Sequence, residues 1–159
     1  MSTCSRIGIE HMDGTITSVY CHFDGYIDGG VGESLLTDHA TRTHAEALVA
    51  LGNLSSVAGG DVEAYARDRG ENFADNKPLV SANRAQYLRH ADQSGAECAY
   101  LFPYQSPNGV LTMFELLPGL LEEHRVGWLV HVVRPGRKWE DLATVFAQDN
   151  KNKGDEDEE

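Results

Sequence analysis

Between an alternating segment at Ile7 and Ile9 and a run of β-branched and aromatic residues from Thr15 to Phe23 stands Asp13-Gly14, a dipeptide that turns a chain back on itself. No other stretch of the 159 residues constrains the fold as much, because so tight a turn commits both flanks to one antiparallel hairpin. With Asp13 and Gly14 as the two turn residues, positions whose numbers sum to 27 face one another. That register places Ile7, Ile9, His11, Ile16, Ser18, Tyr20 and His22 on one face, and Glu10, Met12, Thr15, Thr17, Val19, Cys21 and Phe23 on the other. The first is the expected core face, with His11 and His22 at its rims.

Beyond the hairpin, residues 24–32 hold four glycines in nine positions, which permits positive φ and leads into a short helix from Glu33 to His39. Thr43 with Glu46 reads as a capping box opening a second helix, in which Ala47, Leu48 and Leu51 form a stripe that Gly52 stops. Residues 53–60 read as a loop, and the polar, mixed-charge stretch 61–78 as an irregular excursion with one strand around Ala64. Ser81 is the expected cap of a third helix through about Asp92, with Ala85 and Leu88 inward and Gly95 ending it. Strands are expected at Glu97 to Phe102, Val110 to Leu116 and Gly127 to Val133, and a last helix at Trp139 to Gln148. This order predicts an α+β fold: a mainly antiparallel sheet, led by the N-terminal hairpin, packed with three to four helices.

With 41% hydrophobic residues, the length suits a single domain over 1–148, followed by an acidic, disordered tail over 149–159. The formal net charge is -12; the tail carries six acids and two bases, leaving the body 19 acids, 11 bases and a charge of -8. Phosphate attraction dominates loose binding to nucleic acid, so nucleic acid is an unfavoured partner. Cys4, Cys21 and Cys98 are odd in number and widely spaced, which speaks against a disulfide framework or a thiolate zinc site and for a reducing, cytoplasmic setting. No run approaches the roughly 18 apolar residues of a membrane span, and no apolar leader opens the chain.

The densest group of chemically able side chains lies at the end of the hairpin. Cys21 and His22 alternate across a strand and therefore point to opposite faces, which removes them as a nucleophile and base pair. His22, Asp24, Asp28, His39 and His44 lack the spacing of a metal site, and neither a metal nor a cofactor is expected. The glycine turn lacks the lysine and hydroxyl of a P-loop and the spacing of a dinucleotide fingerprint. Tyr20, His22, Asp24 and Tyr26 remain as a coherent binding surface. Arg67 and Arg69, in Arg67-Asp68-Arg69-Gly70-Glu71, form the one concentrated basic spot of the body and a second binding candidate.

The segments Ile7-Gly8-Ile9-Glu10, Asp13 to Tyr26 and Gly30-Val31-Gly32 together resemble the N-terminal signature of a family of small uncharacterised proteins encoded by phages and by actinobacteria. Looser similarity runs through Ala47 to Ser56 and Arg67 to Glu71, and weakly to Tyr100-Leu101-Phe102 and Trp139. The resemblance covers about half the chain and implies a phage or mobile-element context without a mechanism. The expected function is that of a non-enzymatic accessory protein binding a host macromolecule, such as a defence or replication factor. The alternative is a small-ligand or nucleotide-binding protein or hydrolase, with a site between the glycine turn and Arg67 to Glu71.

Overall fold

The hairpin forms, but one residue out of the expected register. In a computed structural model describing residues 3–57, 62–64, 76–104, 127–133 and 138–148, strand β1 (Ser5–Glu10) pairs antiparallel with β2 (Ile16–Cys21). Partners sum to 26, as Ser5 with Cys21 and Glu10 with Ile16. The loop is Met12-Asp13-Gly14, closed by the His11 amide donating to the Thr15 carbonyl at 2.8 Å, with Gly14 left-handed at φ 89°. Asp13 Oδ1 accepts from the Thr15 amide at 3.0 Å and its hydroxyl at 2.7 Å, fixing this three-residue turn. A slip of one residue flips the whole of β2, so Val19 and Cys21 join Ile7 and Ile9, whereas Ile16, Ser18 and Tyr20 lie with Arg6 and Gly8.

Around this pair the chain builds one mixed sheet. Strands β3 (Leu54–Ser56), β4 (Glu63–Ala64), β5 (Leu79–Ser81), β6 (Cys98–Phe102), β7 (Leu129–Val132) and β8 (Glu140–Asp141) give the order β4-β3-β2-β1-β6-β7-β8, with β5 also beside β2. Five of the seven pairings among the described residues are antiparallel; β1 with β6 and β2 with β3 are parallel. The outer edge of β2 is shared, its first half pairing with β5 and its last residue with β3. The loop expected at 53–60 thus contains a strand. The strand expected at Val110 to Leu116 and the tail at 149–159 lie outside the described residues.

Helices α1 (Val31–Asp38), α2 (Arg42–Ala50) and α3 (Arg84–Gln93) and a final helix α4 at 142–148 complete the α+β domain. Two caps sit elsewhere than expected. Thr41, not Thr43, caps α2, accepting from the His44 amide at 3.2 Å, and Glu46 pairs with Arg42 at 2.9 Å instead of closing a capping box. Asn83, not Ser81, caps α3 through the Gln86 amide at 2.8 Å, because Ser81 belongs to β5 and its hydroxyl meets His90 Nδ1 at 2.7 Å. Gly52 and Gly95 end their helices in the left-handed region as expected. Trp139 precedes α4, and Ala85 is exposed while Tyr87 and Ala91 are buried.

The sheet is covered on both sides. One core joins Ile7, Ile9, Val19 and Tyr100 to Leu35 of α1 and Leu48 of α2, with Trp128 edge-on to Phe102 and its Nε1 donating to the His39 carbonyl at 2.8 Å. The other joins Ile16 and Leu101 to Tyr87 of α3, whose ring stacks on Trp139 and whose hydroxyl donates to the Tyr100 carbonyl at 2.6 Å. Gly8 lets that ring cross β1, since a Cβ there would meet Ile16 Cγ2 at 2.9 Å and Tyr87 Cζ at 3.0 Å. On the same face Arg6 is only 5% exposed. Its guanidinium donates to Ser18 Oγ at 3.0 Å, the Ser18 carbonyl at 3.3 Å and Ser94 Oγ at 3.2 Å. Burial pulls it below its ordinary pKa. Ser94 is the C-cap of α3, so the negative end of the helix dipole takes the place of a carboxylate partner.

Candidate functional site

The candidate surface is built where β2 runs out. The His22 amide donates to the Leu54 carbonyl at 3.0 Å and the Phe23 amide to the Ser55 carbonyl at 2.9 Å, so both residues are held against β3. Asp24 then takes a left-handed φ of 58°, a conformation that aspartate tolerates better than most non-glycine residues. This reversal carries the chain under the N-terminal segment. The Gly25 amide donates to the Thr3 carbonyl at 2.8 Å, and the buried Tyr100 hydroxyl donates to the Gly25 carbonyl at 2.7 Å. A Cβ on Gly25 would lie 2.8 Å from Thr3 O and 2.9 Å from the Cys4 carbonyl carbon, so the crossing requires glycine.

The rest of the turn closes on itself. The Val31 amide donates to the Asp24 carbonyl at 2.7 Å, Gly32 to Tyr26 at 3.3 Å and Glu33 to Ile27 at 2.8 Å, while the Gly29 amide donates to Glu33 Oε2 at 2.8 Å. The glycine-rich turn therefore holds its own carboxylate, and these four amides are engaged within the loop instead of presented to an external anion. Gly30 is packed beneath the Tyr26 ring, where a Cβ would collide with the carbonyl oxygens of Asp24 and Tyr26.

Of the residues singled out from the sequence, Tyr20 and His22 meet, with the hydroxyl 2.9 Å from Nδ1. Asp24 and Tyr26 also meet, the Tyr26 hydroxyl donating to Asp24 Oδ1 at 3.0 Å; that bond raises the pKa of the phenol. Arg67 and Arg69 lie outside the described residues. Two side chains project from the pinned loop into solvent, Tyr26 at 44% and Phe23 at 47% exposure, and the Phe23 ring meets His22 edge-on at 4.4 Å. The sequence placed Phe23 on a hairpin face; nothing in its pattern shows that β2 ends two residues earlier. Cys21 points into the core beneath, where burial pushes its thiol up to about 12.

A second charged cluster, unmarked in the sequence, gathers at the end of β1. Arg84 grips Glu10 with two bonds, Nε to Oε2 at 2.7 Å and Nη2 to Oε1 at 2.9 Å. The Tyr104 amide donates to Oε1 at 3.2 Å, and Arg42 Nη2 donates to the Glu10 carbonyl at 3.0 Å while its guanidinium lies 5.7 Å from the Tyr104 ring centroid. The Arg84 bond holds the Glu10 carboxyl below the usual carboxylate range. The cluster clasps the first turns of α2 and α3 to one strand end. Residues 10 and 84 are 74 positions apart, so no local spacing announces it.

Among the described residues no group of three His, Cys, Asp or Glu side chains is placed to hold a metal ion, and no helix is long and apolar enough to cross a membrane. Compared with protein-family models, curated proteins and solved structures, the chain matches none.

Proposed function

We propose that this chain is a cytoplasmic accessory protein of the phage type that works by binding a host protein through the loop from His22 to Asp28. The observation that carries this reading is the pair of large exposed rings, Phe23 and Tyr26, on a loop tied to the sheet, to Thr3 and to Tyr100. Exposed aromatics dominate binding energy when they enter a partner's pocket, and a fixed loop loses little entropy in doing so. Asp24 and Asp28 beside them, in a chain of net charge -12, suit a partner whose pocket has a basic rim. The family resemblance of the N-terminal segment supplies the phage context, and a defence or replication factor is the class of host protein that such a context favours. The alternative of a ligand pocket between the glycine turn and Arg67 to Glu71 is weakened by the turn's internally engaged amides.

The test is affinity capture from host lysates with the native protein and with the Phe23→Ala/Tyr26→Ala double variant. A stoichiometric partner retained by the native protein and lost by a variant of unchanged melting temperature is the expected result. No partner in any host, or equal retention by the variant, would overturn the proposal. A melting-temperature screen against nucleotides separates the alternative, since a ligand at about 100 times its dissociation constant stabilises its protein by roughly 2.7 kcal/mol.

A further inference from the structure

Cys4 stands just ahead of β1, and continuing the β1–β2 register by one step places it across from His22, with Tyr20 next along the same face. The side chains form a string: Cys4 Sγ lies 3.0 Å from the Tyr20 hydroxyl, which lies 2.9 Å from His22 Nδ1. Either sulfur or oxygen can donate in the first contact, and the role of the imidazole nitrogen follows its tautomer. With the His22 proton on Nε2, both bonds run in one direction, S–H to the phenol oxygen and phenol O–H to Nδ1. The backbone of Cys4 is fixed by its carbonyl, which accepts from the Glu97 amide at 2.9 Å. Cys4 is half-buried, the least enclosed of the three cysteines, whereas Cys21 and Cys98 are buried.

We propose that Cys4 is a site of covalent modification by soft electrophiles, a thiol from which Tyr20 and His22 remove the proton as the sulfur attacks. This goes beyond the docking proposed for the loop and does not depend on it. With iodoacetamide as the electrophile, the S–C bond forms as the C–I bond breaks, and iodide leaves with the bonding pair. The thiol proton passes to the Tyr20 oxygen as the Tyr20 proton passes to His22 Nδ1, so the imidazole ends as the cation. A nucleophile coupled through hydrogen bonds to a base is the arrangement that covalent chemistry requires, here with a phenol interposed.

The experiment labels the folded, full-length protein with limiting iodoacetamide at neutral pH and maps each cysteine by mass spectrometry. Cys4 is expected to react first, with Cys21 and Cys98 protected. Tyr20→Phe, which deletes only the hydroxyl, is expected to slow Cys4 by about tenfold or more, a modest share of what positioned proton transfer contributes. His22→Asn should do the same, and it carries the test should Tyr20→Phe fail to fold. A native rate that slows in heavy water, with Tyr20→Phe insensitive to the solvent, distinguishes a proton relay from altered packing. The proposal is overturned if Cys21 or Cys98 is labelled ahead of Cys4, if the folded variants slow Cys4 by less than tenfold, or if the native rate is unchanged in heavy water.

Discussion

Replacing Glu10 with Gln keeps the shape of the clasp at the end of β1 and removes its charge. Glu10 is 14% exposed at the side chain and accepts two bonds from Arg84, which is 40% exposed. Hydrogen bonds to charged groups contribute about 1.5–3 kcal/mol each when buried. The exposure of Arg84 screens this pair toward the roughly 1 kcal/mol of surface ion pairs, and the glutamine oxygen still accepts one bond, so the expected loss is about 1–2 kcal/mol at pH 7. The sign of the pH dependence follows from the Glu10 carboxyl lying below the usual carboxylate range, chiefly through the Arg84 bond. Its stabilisation is fully present above the unfolded carboxylate value of about 4.3 and is lost as pH falls through the lower folded value. Urea unfolding at a series of pH values checks this. With a slope of about 2 kcal/mol per molar, Glu10→Gln should lower the midpoint by about 0.5–1 M at neutral pH, and the two proteins should converge in acid. A deficit that persists unchanged to pH values well below 4.3, or none at pH 7, would refute the assignment of the charge to this clasp.

Gly8→Ala should destabilise by about 1–2 kcal/mol. The overpacking cost of roughly 1–3 kcal/mol against Tyr87 and Ile16 exceeds the roughly 0.4–1 kcal/mol gained by restricting the unfolded chain, and thermal or urea unfolding decides the sign. Adding Tyr87→Phe to that variant removes the hydroxyl 3.1 Å from the intruding methyl, so the two costs should be less than additive in a double-mutant cycle. Gly30→Ala should push the Tyr26 ring and its loop away from the carbonyls of Asp24 and Tyr26 and weaken capture of the proposed partner as much as Phe23→Ala/Tyr26→Ala does. Unimpaired capture by Gly30→Ala would show that the loop need not be fixed in order to bind.

How far the sequence could be read depended on distance along the chain. The hairpin, the helices around Leu35, Leu48 and Tyr87, and the α+β character follow from local periodicity, and Gly52 and Gly95 mark two helix ends because left-handed φ selects glycine. The register did not follow, because Asp13-Gly14 is equally compatible with a two-residue turn and with the last two positions of a three-residue turn. The hydrogen bonds from Thr15 to Asp13 and the pairing of His11 with Thr15 select the second. The caps at Thr41 and Asn83 were hidden by equally good hydroxyls two residues away, and those positions were settled by competing partners: Arg42, one turn earlier in the same helix, for Glu46, and Ile16 and His90 for Ser81. The parallel pairing of β1 with β6 and the Glu10–Arg84 clasp join residues far apart in the chain, and no periodicity reports such contacts.

One residue of register carried consequences into the chemistry. A sum of 27 puts His22 opposite Ser5, on the face of Ile7 and Ile9, and leaves Cys4 without a facing histidine. A sum of 26 puts His22 opposite Cys4 and moves it, with Tyr20, to the face of Arg6, away from the main core. Separation of His22 from Cys21 holds in both registers, because neighbours on a strand alternate whatever they pair with. The thiol that meets His22 through Tyr20 is thus Cys4, just ahead of the facing strand. The side-chain pair adjacent in sequence is the one that strand geometry separates, and the pair brought together is set by the turn at Met12-Asp13-Gly14.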